Sequence, residues 1–230
     1  MRYKPFDQSH YRTLPVRFGY AEWSAHYDRD MAQWPLDFPL LSRLRFVRFR
    51  KVRRALDLAC GTGRIGAWLK AKGVGVVDGI DLSPSMLEQA RRKGVYRNLR
   101  LGNFLKARIP GRGYGLITCI LATCHLESLD RLYRRTYALA ARNGHFVVVD
   151  YHPYFLLNGI PTHFLTPEGE HLAVTNHVHL MRDHFRAALA AGWKPVWLDE
   201  LVVEGRWVRK YPGWRKFMGR PVSFALAWRK

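Results

Sequence analysis

Cysteine is scarce in this chain. Cys60, Cys119 and Cys124 are the only three in 230 residues. Their odd number argues against a disulfide framework, and their spacing matches no metal knuckle. Long apolar runs are missing too: none approaches the roughly 18 residues that a membrane span requires. The opening Met1-Arg2-Tyr3-Lys4-Pro5 is too polar for a secretory leader. There are no repeats and no low-complexity segments. Together these absences point to a reduced, unanchored, cytoplasmic protein, long enough to bury the core of one domain.

Acid is also in short supply. Asp and Glu total 18 against 38 Lys and Arg, for a formal charge of +20. The cations gather in Arg43 to Arg54 and again in the C-terminal third, at Arg206, Arg209, Lys210, Arg215, Lys216 and Arg220. Such a field draws nucleic acid, anionic lipid or a negatively charged substrate. The bland alternative is an arginine-rich composition with no partner behind it.

What is present is an alternation of strand and helix signals, the mark of a parallel sheet. Tyr20 to Met31 reads as a helix with Trp23 and Tyr27 on one face. A second helix is expected from Asp37, with Leu40, Leu41, Leu44 and Val47 inward. Strands follow at Ala55 to Leu58, Val74 to Asp81, Asn98 to Phe104 and Tyr114 to Leu121, the last apolar enough to be central. Leu129 to Arg142 reads as a helix stopped by Asn143-Gly144, and His145 to Tyr151 as the fifth strand. A helix at Met181 to Ala191 ends at Gly192. Pro195 to Val203 and Val222 to Trp228 are the last strands. Residues 1–50 are expected to form a helical segment over the site. Residues 51–230 are expected to form the main domain, with a covering insertion at about 154–180 that holds a hairpin around Pro167-Glu168-Gly169-Glu170.

The most informative stretch is Ala55-Leu56-Asp57-Leu58-Ala59-Cys60-Gly61-Thr62-Gly63-Arg64-Ile65-Gly66. A short strand runs into a glycine turn that opens a helix, so backbone N–H donors face a ligand there. The spacing of Gly61, Gly63 and Gly66 nearly fits a dinucleotide turn. Asp57 argues against a pyrophosphate, because it repels phosphate and attracts a cationic amine. The next strand ends in Asp81, about 20 residues past the turn, where a carboxylate accepts from both ribose hydroxyls. Ser83 and Pro84 then suit the start of a helix. A nucleoside with an amino-acid tail answers both acids, and S-adenosylmethionine is that ligand.

Asp57-Leu58-Ala59-Cys60-Gly61-Thr62-Gly63 and Gly79-Ile80-Asp81-Leu82-Ser83-Pro84 resemble the class I S-adenosylmethionine-dependent methyltransferases, of the type that acts on quinones and natural products. Ala59 stands where the family has its first glycine. The resemblance implies an α/β, Rossmann-like, seven-stranded and mostly parallel sheet, with helices on both faces and an antiparallel edge strand. It implies that Asp57, Ala59, Gly61 and Gly63 hold the methionine end and that Asp81 and Leu82 hold the ribose. Asn103, in place of the family's acid, would then read the adenine amino group or serve only as a turn residue, with Phe104 and Leu121 completing the cofactor site.

Catalytic candidates come from position. His125, in the loop after the fourth strand, either lines the acceptor site or caps the next helix. His152 ends the fifth strand at the carboxyl edge of the sheet, and as a base near neutral pH it is the first choice. His177 and His179 share one face of an expected strand in the covering insertion, but no carboxylate or cysteine completes a metal site with them. The leading expectation is methyl transfer to oxygen, nitrogen or carbon of a small-molecule acceptor, with an anionic one matching the field. The rival is an RNA or other nucleic-acid methyltransferase, which charge alone supports: strand four lacks the Asn/Asp-Pro-Pro-Tyr/Phe signature, and no Pro-Cys pair offers a nucleophile.

Overall fold

The computed structural model describes residues 1–109 and 111–230. In chain order its elements are β1 (Arg12–Leu14), α1 (Val16–Trp23), α2 (Tyr27–Gln33), α3 (Phe38–Leu41), β2 (Arg54–Leu58), α4 (Arg64–Ala71), β3 (Val76–Asp81), α5 (Pro84–Arg92), β4 (Asn98–Leu101), β5 (Tyr114–Ile120), α6 (Asp130–Leu139), β6 (Ala140–Tyr151), α7 (Pro153–Leu157), β7 (His163–Leu165), β8 (His171–Val174), α8 (Met181–Ala190), β9 (Lys194–Val202), α9 (Gly205–Lys210) and β10 (Pro221–Arg229).

Seven strands make the main sheet in the order β4-β3-β2-β5-β6-β10-β9. The first five run parallel. β10 runs against both β6 and β9, so the antiparallel strand lies one place in from the edge. Alternation along each strand sorts the core into two layers. Leu56, Leu58, Ile117, Cys119, Phe146 and Val148 face α6 and α8. Ala55, Val77, Leu116, Val147 and Val149 face α4 and the N-terminal helices, with Leu40, Leu41, Leu44 and Val47 packed on them. β5 is buried nearly throughout, as its apolar run predicts.

A second, three-stranded sheet joins the two ends of the cover. β1 pairs parallel with β8, and β8 pairs antiparallel with β7 through the expected hairpin. α1 packs against both β8 and α5. The N-terminal segment and the insertion therefore share one small sheet, a roof laid against α5.

Four element expectations need correction. The helix expected over 20–31 breaks at Ser24, whose hydroxyl bonds the Ala21 carbonyl at 2.8 Å and competes with the helix ladder. The break lets the Trp23 and Tyr27 rings meet edge to face at 4.9 Å. The helix at Asp37 lasts only through Leu41, and Leu44 and Val47 reach the core from turns instead. The third strand stops at Leu101, because Asn103 starts a turn by accepting from the Leu105 N–H at 2.8 Å. Asn143-Gly144 does not cap α6. Tyr114 pairs with Ala140 and Leu116 with His145, so the residues between them bulge from β6. Asn143 sits there in the left-handed region at φ 62°, and Gly144 lies where a Cβ would come within 2.8 Å of the Tyr114 carbonyl oxygen.

Candidate functional site

The carboxyl ends of β2 and β3 make a tight junction. The turn after β2 holds Ala59, Gly61 and Gly63 in the left-handed region, at φ 52°, 52° and 87°. Asp81 fastens that turn: its Oδ2 accepts from the Gly61 N–H and its Oδ1 from the Ser83 N–H, each at 2.8 Å. Ser83 in turn caps α5 by accepting from the Met86 N–H at 3.3 Å. A Cβ added at Gly61 would meet no atom within 4 Å. The turn therefore opens onto free space beside the Asp81 carboxylate, which suits a hydroxyl-rich ligand better than a pyrophosphate.

The other glycines of the turn serve a different end. Tyr96, from the loop after α5, fills the hollow that Gly63, Gly66 and Gly79 leave. Its hydroxyl donates to Asp57 Oδ2 at 2.7 Å and accepts from the Gly66 N–H at 3.2 Å. Thr118 donates to Asp57 Oδ1 at 2.8 Å. Both Asp57 oxygens are thus engaged by the protein, and Asp57 holds the turn from behind rather than reaching a ligand amine directly. Burial pushes its carboxyl up to about 6, against the hydrogen bonds from Tyr96 and Thr118. Burial also raises Asp81, opposed by the backbone N–H groups of Ser83, Gly61 and Leu82.

The remaining cofactor candidates divide. Leu82 is 36% exposed at the end of β3 and free to flank a ring, whereas Phe104 is buried in the α6-side core. Leu121 is buried and left-handed at φ 54° just past β5, the kind of local strain that gathers at functional sites. Asn103 is exposed, and its Oδ1 accepts from the Leu105 N–H at 2.8 Å, as a turn residue does.

Two fasteners bind the roof to the turn. Asp28 of α2 accepts from the Thr62 hydroxyl and from Lys93 Nζ at 2.5 Å, while Lys93 also donates to the Thr62 carbonyl at 2.6 Å. Asp37, fully buried, accepts from Arg64 through two bonds of 2.9 and 3.2 Å. The Arg64 guanidinium lies over the Phe38 ring.

The four histidines do not gather at one point. His152 caps α7: its Nδ1 accepts from the Tyr154 N–H at 3.1 Å, so Nε2 carries the proton toward Glu200 at 3.0 Å. With its bare nitrogen used, His152 cannot serve as the base expected of it. His179 Nε2 lies 2.6 Å from the Leu126 carbonyl, which accepts its proton. His177 lies in an isolated bridge with Arg2 rather than in a strand, its backbone N–H on the Cys124 carbonyl at 2.6 Å. His125 differs. Its Nδ1 lies 2.7 Å from the Thr175 carbonyl and its Nε2 2.8 Å from the Tyr20 hydroxyl.

Sequence reasoning missed Tyr96, Thr118, Tyr20 and the two fasteners. Each is a contact between residues far apart in the chain, which periodicity and local spacing do not report.

This geometry agrees with the comparisons. The methyltransferase domain family matches residues 55–144, a span that runs from β2 through the α6–β6 junction. Residues 55–144 therefore match a methyltransferase domain over the stretch that holds the glycine turn and Asp81. Methyltransferase-like protein 27 of Homo sapiens is 37% identical over 101 residues, 40% of this chain and 39% of that protein. A demethylmenaquinone methyltransferase of Thermus thermophilus is 32% identical over 107 residues, 44% of this chain and 48% of that one. The chain thus spans less than half the length of these two relatives. An S-adenosylmethionine-dependent methyltransferase structure from Mesorhizobium loti superposes with a TM-score of 0.70 at 22% identity, over 86% of this chain and 98% of that one, a likeness of fold.

Proposed function

We propose that the protein transfers the methyl group of S-adenosylmethionine to a small-molecule acceptor lodged between the turn after β2 and the roof. The observation that carries this reading is the junction of Asp81 with the Gly61 and Ser83 amides, open at Gly61 and roofed by α1, α2 and the β7–β8 hairpin. Asp81 meets the ribose, the Gly61–Gly63 backbone meets the methionine end, and Leu82 flanks the adenine. The cofactor supplies an electrophilic methyl on a sulfonium. The chain's own part is to hold the acceptor in line and exclude water. In the roof Trp23 stacks on Phe164 at 5.0 Å and meets Tyr27 edge to face at 4.9 Å, which holds α1, α2 and β7 together. The relative that methylates a quinone precursor supports a small acceptor of this kind.

The charge divides: Arg206, Arg209, Lys210, Arg215, Lys216 and Arg220 lie between β9 and β10, at the carboxyl ends of the parallel strands. Arg45, Arg48, Arg50, Lys51 and Arg53 are exposed, but they precede β2, at the amino ends of the parallel strands. The cofactor turn lies at the opposite ends. We place the protein in the cytoplasm; among the described residues no helix is long and apolar enough to cross a membrane.

Titration calorimetry with S-adenosylmethionine and its demethylated product tests the cofactor half. A labelled-methyl assay on cell extract, split into small-molecule, RNA and protein fractions, tests the acceptor half. Label in the RNA fraction alone would overturn the small-molecule reading.

A further inference from the structure

We propose that Tyr20 and His125 form a proton-accepting pair at this site and that the methyl acceptor is a hydroxyl on an aromatic ring, a phenol or enol. The inference rests on the methyltransferase reading above and goes beyond it to the acceptor atom.

The hydrogen bonds fix the protonation state. A backbone carbonyl only accepts, so His125 Nδ1, 2.7 Å from the Thr175 oxygen, carries a proton. Burial holds the imidazole below its usual range, opposed by the Thr175 carbonyl and Asp150, with His177 adding to the lowering. The ring is therefore neutral near pH 7, and Nε2 is bare. Tyr20 then donates to Nε2 across 2.8 Å. Burial likewise raises the Tyr20 phenol, with Tyr27, Cys124, Tyr151 and Asp150 facing it, so the hydroxyl keeps its proton until the base takes it. Among the described residues the Tyr20 oxygen has no second hydrogen-bond partner. Its lone pairs are left for a donor, and a hydroxyl is the donor that gains most from a base, since an amine nitrogen already carries the lone pair that attacks.

The pair is placed for chemistry. His125 lies in the turn that follows the carboxyl end of β5. The Tyr20 ring meets His125 edge to face at 5.3 Å and Tyr27 at 6.0 Å. Tyr27 in turn lies within the electrostatic reach of Arg64, Asp37, Asp28 and Asp81. Tyr27 is followed by Asp28, which accepts from the Thr62 hydroxyl of the cofactor turn, so α2 runs from the Tyr20 ring to that turn.

The step balances within the site. As the acceptor oxygen forms its bond to the methyl carbon, the carbon–sulfur bond breaks and its electron pair stays on sulfur. The acceptor's proton passes to Tyr20 as the Tyr20 proton passes to His125 Nε2. The sulfonium charge disappears and an imidazolium charge appears, held by the Thr175 carbonyl and favoured by Asp150. His125 then loses its proton to solvent.

The test uses the full chain with methyl-labelled S-adenosylmethionine and three probes: 2-naphthol, 2-naphthylamine and indole. We expect label in naphthol alone. Tyr20→Phe and His125→Gln should each lower kcat about 100-fold or more, with the cofactor Kd within about twofold of wild type by calorimetry. The wild-type rate should fall with acid through a pKa below 6.5, and that limb should vanish in His125→Gln. A purely structural role would move neither the limb nor the split between kcat and Kd. If His125→Gln fails to fold, Tyr20→Phe and the wild-type pH profile still decide. Faster transfer to amine or carbon, no transfer to any probe, or full rates in Tyr20→Phe would each overturn the pair or its acceptor class. A wild-type chain that binds no cofactor would instead overturn the underlying reading.

Discussion

The Tyr96 hydroxyl stands 2.7 Å from Asp57 Oδ2 and 3.2 Å from the Gly66 amide. One side chain thereby joins the strand before the cofactor turn to the helix after it, through a hollow that only glycines leave. Tyr96→Phe strips a donor from a buried carboxylate and an acceptor from a buried amide. It should destabilise the protein by about 1–3 kcal/mol and weaken cofactor binding as the turn loosens. Gly66→Ala should cost more, since its Cβ would fall 2.2 Å from Tyr96 Cζ. Combining it with Tyr96→Ala should cost less than the two changes summed, because each removes the other's conflict. Urea melts of Gly66→Ala, Tyr96→Ala and the double variant check this, and strict additivity would refute it.

Asp57 carries a pH signature. Its carboxyl lies at about 6 in the folded chain against 3.8 when unfolded. Between those values the folded state holds the extra proton, so stability falls as pH rises through this window. The full effect of such a shift is about 3 kcal/mol. Asp57→Asn should flatten that part of the stability profile of the cofactor-free protein. Thermal melts at half-unit steps from pH 4 to 7 show whether it does.

Ala59 sits at φ 52°, where a side chain costs roughly 1–2 kcal/mol, partly offset by the greater unfolded-state freedom of glycine. Ala59→Gly should therefore raise stability by about 0.5–1 kcal/mol. Leu121 shares the conformation at φ 54° but is buried. Leu121→Gly should destabilise the chain, since the lost burial outweighs the relief. Melts of both variants test the pair, and a matched gain would contradict it.

The two fasteners should differ sharply. Asp37→Ala leaves Arg64, whose side chain is only 12% exposed, without its partner, and breaking such a buried pair costs about 3–5 kcal/mol. Asp28 is 45% exposed at its side chain, so Asp28→Asn should cost under about 1 kcal/mol. Equal losses in chemical melts would mean that burial does not set their worth.

Reversing Arg45, Arg48 and Arg50 to Glu should change small-molecule turnover by less than about twofold. The five residues of β2 separate them from the turn by about 16 Å, beyond the roughly 8 Å screening length of physiological salt. Assays across a salt series would expose a larger role.

Much of this was legible in the sequence, for reasons particular residues supply. Val147 and Val149 alternate with Phe146 and Val148, so the strand and its two faces follow from period alone. Ser83-Pro84 announces α5, and Asp81 with Gly61 announces the cofactor. The breaks were hidden because they depend on competition: Ser24 bonding Ala21, or a bulge at Asn143 that resembles a helix stop. His152 looked like a base because its position at the strand end is right. Its free nitrogen is spent on capping α7, a contact that position along the chain does not show. Tyr20 and His125 are 105 residues apart, and no local signal links them.

Asp28 and Asp37 travel with the roof, whereas Thr62, Lys93 and Arg64 stay with the turn. Parting the two would unpair charge on both sides at once. Added salt should therefore loosen the half-exposed Asp28–Lys93 contact while leaving the buried Asp37–Arg64 pair largely unscreened.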